Sequence, residues 1–476
     1  TGGAGAGITL MDPVTLGADI RMDASGGLGS VANGVAGNID FQSTLDGLHT
    51  LNLDASGATD GDIHFHGIVG ATALGAVTID DAKDVTAYAA FSAASLTQTA
   101  GSGTTMLDGL TTLTGKLDIT TVNIDIDDSV TTASGLVDLN ATTSVDLAAD
   151  KTITTTAGAN TGTTSGAIDI DVSGTGTVNI AGDLVTTGAA NNAGVGSVGG
   201  AVTIDTVGGV IAVKNITTTG GAGTDNNGGA AGVITLNTGG EAITLNGNLS
   251  AVGGASASAT GGAGAGITLM DPVTLGADIT VYANGGIGTI ANGSGGDIDF
   301  QSTINGAKTL NLVAGTGDVS VTGVVGTSAA SGNRLTSFTV TSAATADLDD
   351  VFTSGVQSVT ATNIHLNGTT YTSTGEALTF TGATVAPYNS REVLELLLTA
   401  TNAKEMKRED MYGHAARHFS GEIPNPKALA GTPCLRRLPT GPPRHDRALA
   451  QDGILDPKPR SDAATLRAGR HQGLQV

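Results

Sequence analysis

One cysteine in 476 residues, no tryptophan, five tyrosines and eight phenylalanines set the first limits on this chain. A lone Cys434 excludes a disulfide framework. No apolar run reaches the length of a membrane-spanning helix, so the sequence predicts no such segment. Basic residues number 21 against 44 acidic ones, for a net charge of −23. That balance excludes a nucleic-acid binder, whose surface should be basic. Glycine is abundant, at 73 residues, but follows no Gly-X-Y period, which excludes a collagen helix.

The shortage of basic residues is concentrated. Residues 1–390 hold seven of them (Arg21, Lys83, Lys116, Lys151, Lys214, Lys308 and Arg334) against 34 acids, net −27. Residues 391–476 hold 14 basic and 10 acidic residues, net +4, with eight of the eleven prolines. The composition therefore predicts an acidic repeat body at 1–388 and a different tail. Asn389 and Glu392 have the spacing of a helix N-cap pair. Val393, Leu396, Leu397 and Ala400 follow at helical spacing, so a helix is expected within 389–420. Residues 421–476 are Pro/Arg-rich and read as disordered. A frameshift or assembly junction near residue 388 is the competing explanation of the tail. The chain begins with Thr1 inside a repeat, which reads as a piece of a longer protein.

What the body does contain is repetition. TGGAGAGITLMDPVTLGADI at 1–20 recurs unchanged at 260–279, and the likeness of 1–70 continues with divergence to 326. Within this long period, apolar–x–apolar triplets begin at Ile168, Val202, Ile234, Ile267 and Ile298, a step of about 32 residues that falls in the range of solenoid repeats. Second triplets (Val178, Ile211, Ile243, Val273) and a third apolar mark (Leu184, Ile216, Leu249, Ile279) keep the same step. Alternation with Thr, Asp and Asn is the strand period, and glycine-rich corners separate the strands. A unit of three short strands cannot bury its own apolar side and must stack on its neighbours. The expected fold is all-β, a parallel β-helix of about 32 residues per coil. About twelve coils would form a rod roughly 55–60 Å long. The long period is read as eight whole coils, because a partial insertion would turn inward side chains outward. Leu28 becomes Ile287 and Val31 becomes Ile290 between the two copies; their retained apolar character is read as inward-facing.

Chemistry is harder to find. Asp118, Asp125, Asp127, Asp128, Asp138, Asp146, Asp169 and Asp171 lie beside apolar strand neighbours. Stacked carboxylates repel, and a calcium ion would relieve them. Asp125, Asp127 and Asp128 are the candidate metal ligands, against the plainer reading of a solvated acidic face. No cofactor other than calcium is suggested. Gly220–Asp225 starts like a calcium-binding nonapeptide but lacks its apolar residue and its tandem repetition, and reads as a glycine-rich loop. His64 and His66 form a His-x-His pair for which the sequence offers no third ligand. Threonine runs are too interrupted for an ice-binding array. Sparse basic residues and aromatics, and no nucleophile–base pair, argue against an enzyme.

Strings such as GGDIDFQSTINGAKTLNLVAGTGDVSVTGVVG at 295–326 resemble the strand repeats of filamentous-haemagglutinin-like and adhesin-like bacterial exoproteins. The resemblance covers most of 1–388 and implies a right-handed parallel β-helix. It also implies export to the cell surface or medium and a role as a stalk or adhesive filament. The expected localisation is extracellular, and the expected partners are host or environmental surfaces, polysaccharide or other cells. The alternatives are a β-helical polysaccharide lyase or hydrolase, and a calcium-stiffened or ice-binding solenoid.

Overall fold

The structure, a computed structural model, describes residues 1–327 and 333–387. The helix expected within 389–420, the Pro/Arg-rich segment at 421–476 and Cys434 lie outside the described residues. Every regular element among the described residues is a strand, forty in all. Each strand pairs in parallel with its equivalent one coil away, in three columns.

The first column runs from Ile8 through Ile39, Ile63 and Val85 to Val273, Ile304, Val325, Val351 and Tyr371. The second runs from Val14, Leu45, Val69 and Phe91 to Val359 and Phe380. The third runs from Ile20, Leu51, Val77 and Leu96 to Ile364 and Val385. The described residues form a parallel β-helix of fifteen coils, about 70 Å long at the usual strand spacing.

The strands form where the sequence alternates. Ile168–Val172, sequence IDIDV, buries its three apolar side chains and leaves both aspartates half-exposed. Inward Ile, Leu and Val make one continuous core, each contributing about 1.5–3 kcal/mol on burial. In coils 2 to 4 aromatic rings take over. Phe41 and Phe65 stack with centroids 5.2 Å apart, and Phe65 meets Phe91 edge-on at 5.6 Å.

The long step seen in the sequence holds from Val145 through Val178, Ile211, Ile243 and Val273 to Ile304, and between Ile8 and Ile39. Elsewhere coils shorten: Thr104 and Asn123 pair on successive coils, yet only 19 residues separate them. The short coils lack the long glycine-rich loop, and single strands such as Leu117–Ile126 and Val137–Leu147 turn a corner to serve two columns. Shorter coils are why there are fifteen rather than about twelve.

The duplication does not insert whole coils. Ile8 belongs to the first column, but its copy Ile267 belongs to the third, the column of Ile20. Val14 and its copy Val273 lie in the second and first columns, and Ile20 and Ile279 in the third and second. The module has been rotated by one face. Alternation is preserved because each column accepts the same apolar–x–apolar triplet, so a whole strand shifts to the next face with its inward residues still inward.

The long loops stack into a glycine-rich fin. In coils 8 to 11 each loop leaves the second column and returns to the third as two arms. An unbroken N–H to O=C zigzag joins Gly293, Gly286, Gly262, Gly254, Gly229, Gly221, Ser197 and Ala189, at 2.7–3.0 Å. The arms lie backbone against backbone: a Cβ on Gly262 would stand 1.8 Å from the Gly229 carbonyl oxygen. At the neck, the buried hydroxyls of Thr155, Thr186 and Thr218 donate to the carbonyls of Gly166, Gly200 and Gly232. This packing corrects the inward reading of Leu28, Val31, Ile287 and Ile290. They sit at loop tips, Leu28 90% and Ile287 73% exposed, because a fin held by glycine backbone leaves no interior for a large side chain.

Candidate metal centre and acidic rows

The outward residues of each column form rows along the rod. On the first column one row runs Thr9, Asp40, His64, Thr86, Met106, Asp125, Asp146. The residues that directly follow the same strands form a second row, bridged by main-chain bonds from Gln42 to Leu10, His66 to Phe41, Tyr88 to Phe65, Asp108 to Ala87 and Asp127 to Leu107. This places Gln42, His66, Tyr88, Asp108 and Asp127 one above another.

The His-x-His pair thereby acquires the third ligand that the sequence does not show. Asp40 lies directly across the ladder from His64. Its Oδ1 is 2.8 Å from His64 Nδ1 and 3.9 Å from His66 Nε2. One ligand atom from each of the three residues falls within 4.8 Å of the others, the one such set of His, Cys, Asp and Glu among the described residues. His64 and Asp40 are half-buried and His66 faces solvent. The Tyr88 ring lies almost parallel to His66, with centroids 4.9 Å apart and planes at 11°, and so holds that imidazole against the sheet. Asp40 was missed because it precedes His64 by 24 residues, a shorter coil than the regular step would align. The signal was present in the IDF and IHF triplets at 39–41 and 63–65, which align once that short coil is allowed.

Asp125, Asp127 and Asp128 are not brought together as a trio. Asp128 turns to Lys151, with Nζ 2.9 Å from Oδ1, and this bond, with one from the Ser129 amide, holds its carboxyl below the ordinary range. Asp125 keeps the company of other acids: burial first, then Asp127, Asp146 and Asp108, push its carboxyl up. Asp108 is pushed up by burial and by Asp127.

A second acidic row lies on the third column. Asp118, Asp138 and Asp169 stack on three successive coils, and Asp171 stacks on Asp205. Burial raises Asp169 and Asp171, and neighbouring carboxylates add to it. The row is relieved where asparagine takes a rung: Asn237 Nδ2 donates to Asp205 Oδ1 at 3.1 Å. Arg21, Lys83, Lys116, Lys151 and Lys214 each meet an acid along the rod. Arg21 reaches Asn52, Asp54 and Asp80 at 2.6–2.7 Å, Lys116 meets Asp118, and Lys83 meets Asp84. Gly220–Asp225 belongs to the fin, where Gly221 takes part in the zigzag and Gly223 bridges Asn191 and Ser256. Among the described residues no helix is long and apolar enough to cross a membrane. No protein family, no curated protein and no solved structure matches this chain.

Proposed function

We propose that this chain is a stretch of a large exported bacterial surface or secreted protein, in which the β-helix serves as a structural, adhesive stalk. The observation that carries the reading is the rotated duplication. The segment that opens the chain recurs from residue 260 with its apolar positions kept but its faces shifted by one. Such an event lengthens the rod while moving every outward group to a new side, which suits a protein selected for reach more than for one fixed catalytic arrangement. The acidic rows favour solubility and self-repulsion of such rods. Outward rows of Thr, Asp and Asn present a polar surface to another cell, a polysaccharide or a mineral face. Immunogold labelling of intact producing cells tests the reading. Label at the surface or in the medium is expected. Label that appears only after permeabilisation overturns it.

A further inference from the structure

We propose that Asp40, His64 and His66 form a binding site for a divalent transition metal of the zinc class. The stalk reading neither requires nor supplies such a site. Two imidazole nitrogens and one carboxylate oxygen are a donor set that zinc uses, with bonds of about 2.0–2.2 Å. Tetrahedral geometry at those lengths separates ligand atoms by roughly 3.3 Å. Two of the three pairs here stand at 2.8 and 3.9 Å, and all lie within 4.8 Å, so small side-chain rotations bring them onto one ion. The metal takes the place of the hydrogen bond that joins His64 Nδ1 and Asp40 Oδ1. His66 closes the set from the next row and is braced by the Tyr88 ring. The exposed side of His66 leaves a fourth position open to water or to a donor from another molecule.

The duplicated module supplies an internal comparison. The second copy keeps the carboxylate as Asp299, stacked on Ser320, and has Thr322 where the first copy has His66. There Asp299 is satisfied by Gln301, whose Nε2 donates to Oδ2 at 2.7 Å. The same backbone thus carries either a hydrogen-bonded carboxylate or a three-donor cluster, depending on two side chains. Zinc class is favoured over calcium because imidazole is a borderline donor and calcium takes six to eight oxygens.

The test is titration of the full chain with Zn²⁺ in a non-chelating buffer, paired with the visible absorption of added Co²⁺. The expected result is a tight site whose Co²⁺ spectrum has tetrahedral intensity. In the variant His64→Ser with His66→Thr, which copies the residues of the second module, the affinity should fall by at least roughly a hundredfold. The metal-free variant should melt close to the parent, since both substitutions are on the outer face. If the pair destabilises the coil, His66→Thr alone is measured, and a loss of the tetrahedral Co²⁺ spectrum is expected. No Zn²⁺ binding by the parent, or equal binding by the substituted chain through histidines elsewhere, overturns the proposal.

Discussion

Ile8 and Ile267 hold the same place in identical segments, yet Ile8 stacks on Ile39 in the first strand column while Ile267 stacks on Ile298 in the third. One sequence therefore fits two faces of the same β-helix. The reason is that inward demand is almost the same on each face: a β-branched or leucine side chain, a polar outward residue, then a second apolar one. Position around the axis is set by how many strands precede a segment, and the segment itself does not encode it.

This interchangeability predicts the outcome of deletions. Removing Thr105–Asn123 takes out one coil, because Thr105 pairs with Ile124. The shortened chain should unfold cooperatively near the parent temperature by circular dichroism. Removing only Thr235 should not be tolerated. It sends Leu236 outward and brings Asn237 inward in a strand whose Ile234 and Leu236 are fully buried, at a cost of at least about 3 kcal/mol.

The aromatic stack in coils 2 to 4 should be the costliest part of the core to truncate. Phe65 is 1% exposed and touches rings on either side. Phe65→Ala should destabilise by about 3–5 kcal/mol. Urea denaturation checks the value, and a loss under about 1 kcal/mol would mean that the coils collapse around the gap.

The glycine fin makes a different prediction, since its glycines have no side chain to bury. In Gly262→Ala the new methyl meets the Gly229 carbonyl oxygen at 1.8 Å. Backbone cannot move aside there without breaking the zigzag of hydrogen bonds. A loss of about 3 kcal/mol is expected, together with faster amide exchange through coils 9 to 11. Gly17→Ala, exposed and with nothing within 4 Å of its Cβ, should change neither.

Strand positions were legible in the sequence because alternation with a steady step fixes inward and outward residues in the long coils. Two things were not. The short coils follow another step, so aligning residues by a single period hid the partnership of Asp40 with His64. The fin was hidden because it is held by main-chain bonds between glycines, which leave no side-chain pattern beyond composition. Retained apolar character at Leu28 and Ile287 looked like a core signal, but apolar residues remain common on protein surfaces. The acidic rows could be seen from Asp spacing, whereas the turning of Asp128 to Lys151 depends on a lysine 23 residues away.

Those rows predict an unusual pH dependence. Asp171 stacks on Asp205 with Asp169 and Asp138 near, and burial and these charges raise its folded pKa above the ordinary 3.8. An acid raised on folding contributes nothing unfavourable below the ordinary value, where both states are protonated. Its destabilising effect grows as pH climbs from the ordinary value through the raised one, the window in which the unfolded chain ionises first, and is complete above it. Asp171→Asn should therefore stabilise at pH 7 by about 0.5 kcal/mol, the scale of a like-charge pair across a ladder. The new amide can also donate to Asp205, as Asn237 already does from the other side. The gain should shrink as pH falls through the carboxylate range and vanish at about pH 3. It should also shrink in high salt, because the row is half-exposed and its repulsion is screened. Thermal melts of parent and variant at neutral and acid pH check both trends. A gain that persists at acid pH would mean that the asparagine acts through its hydrogen bond alone.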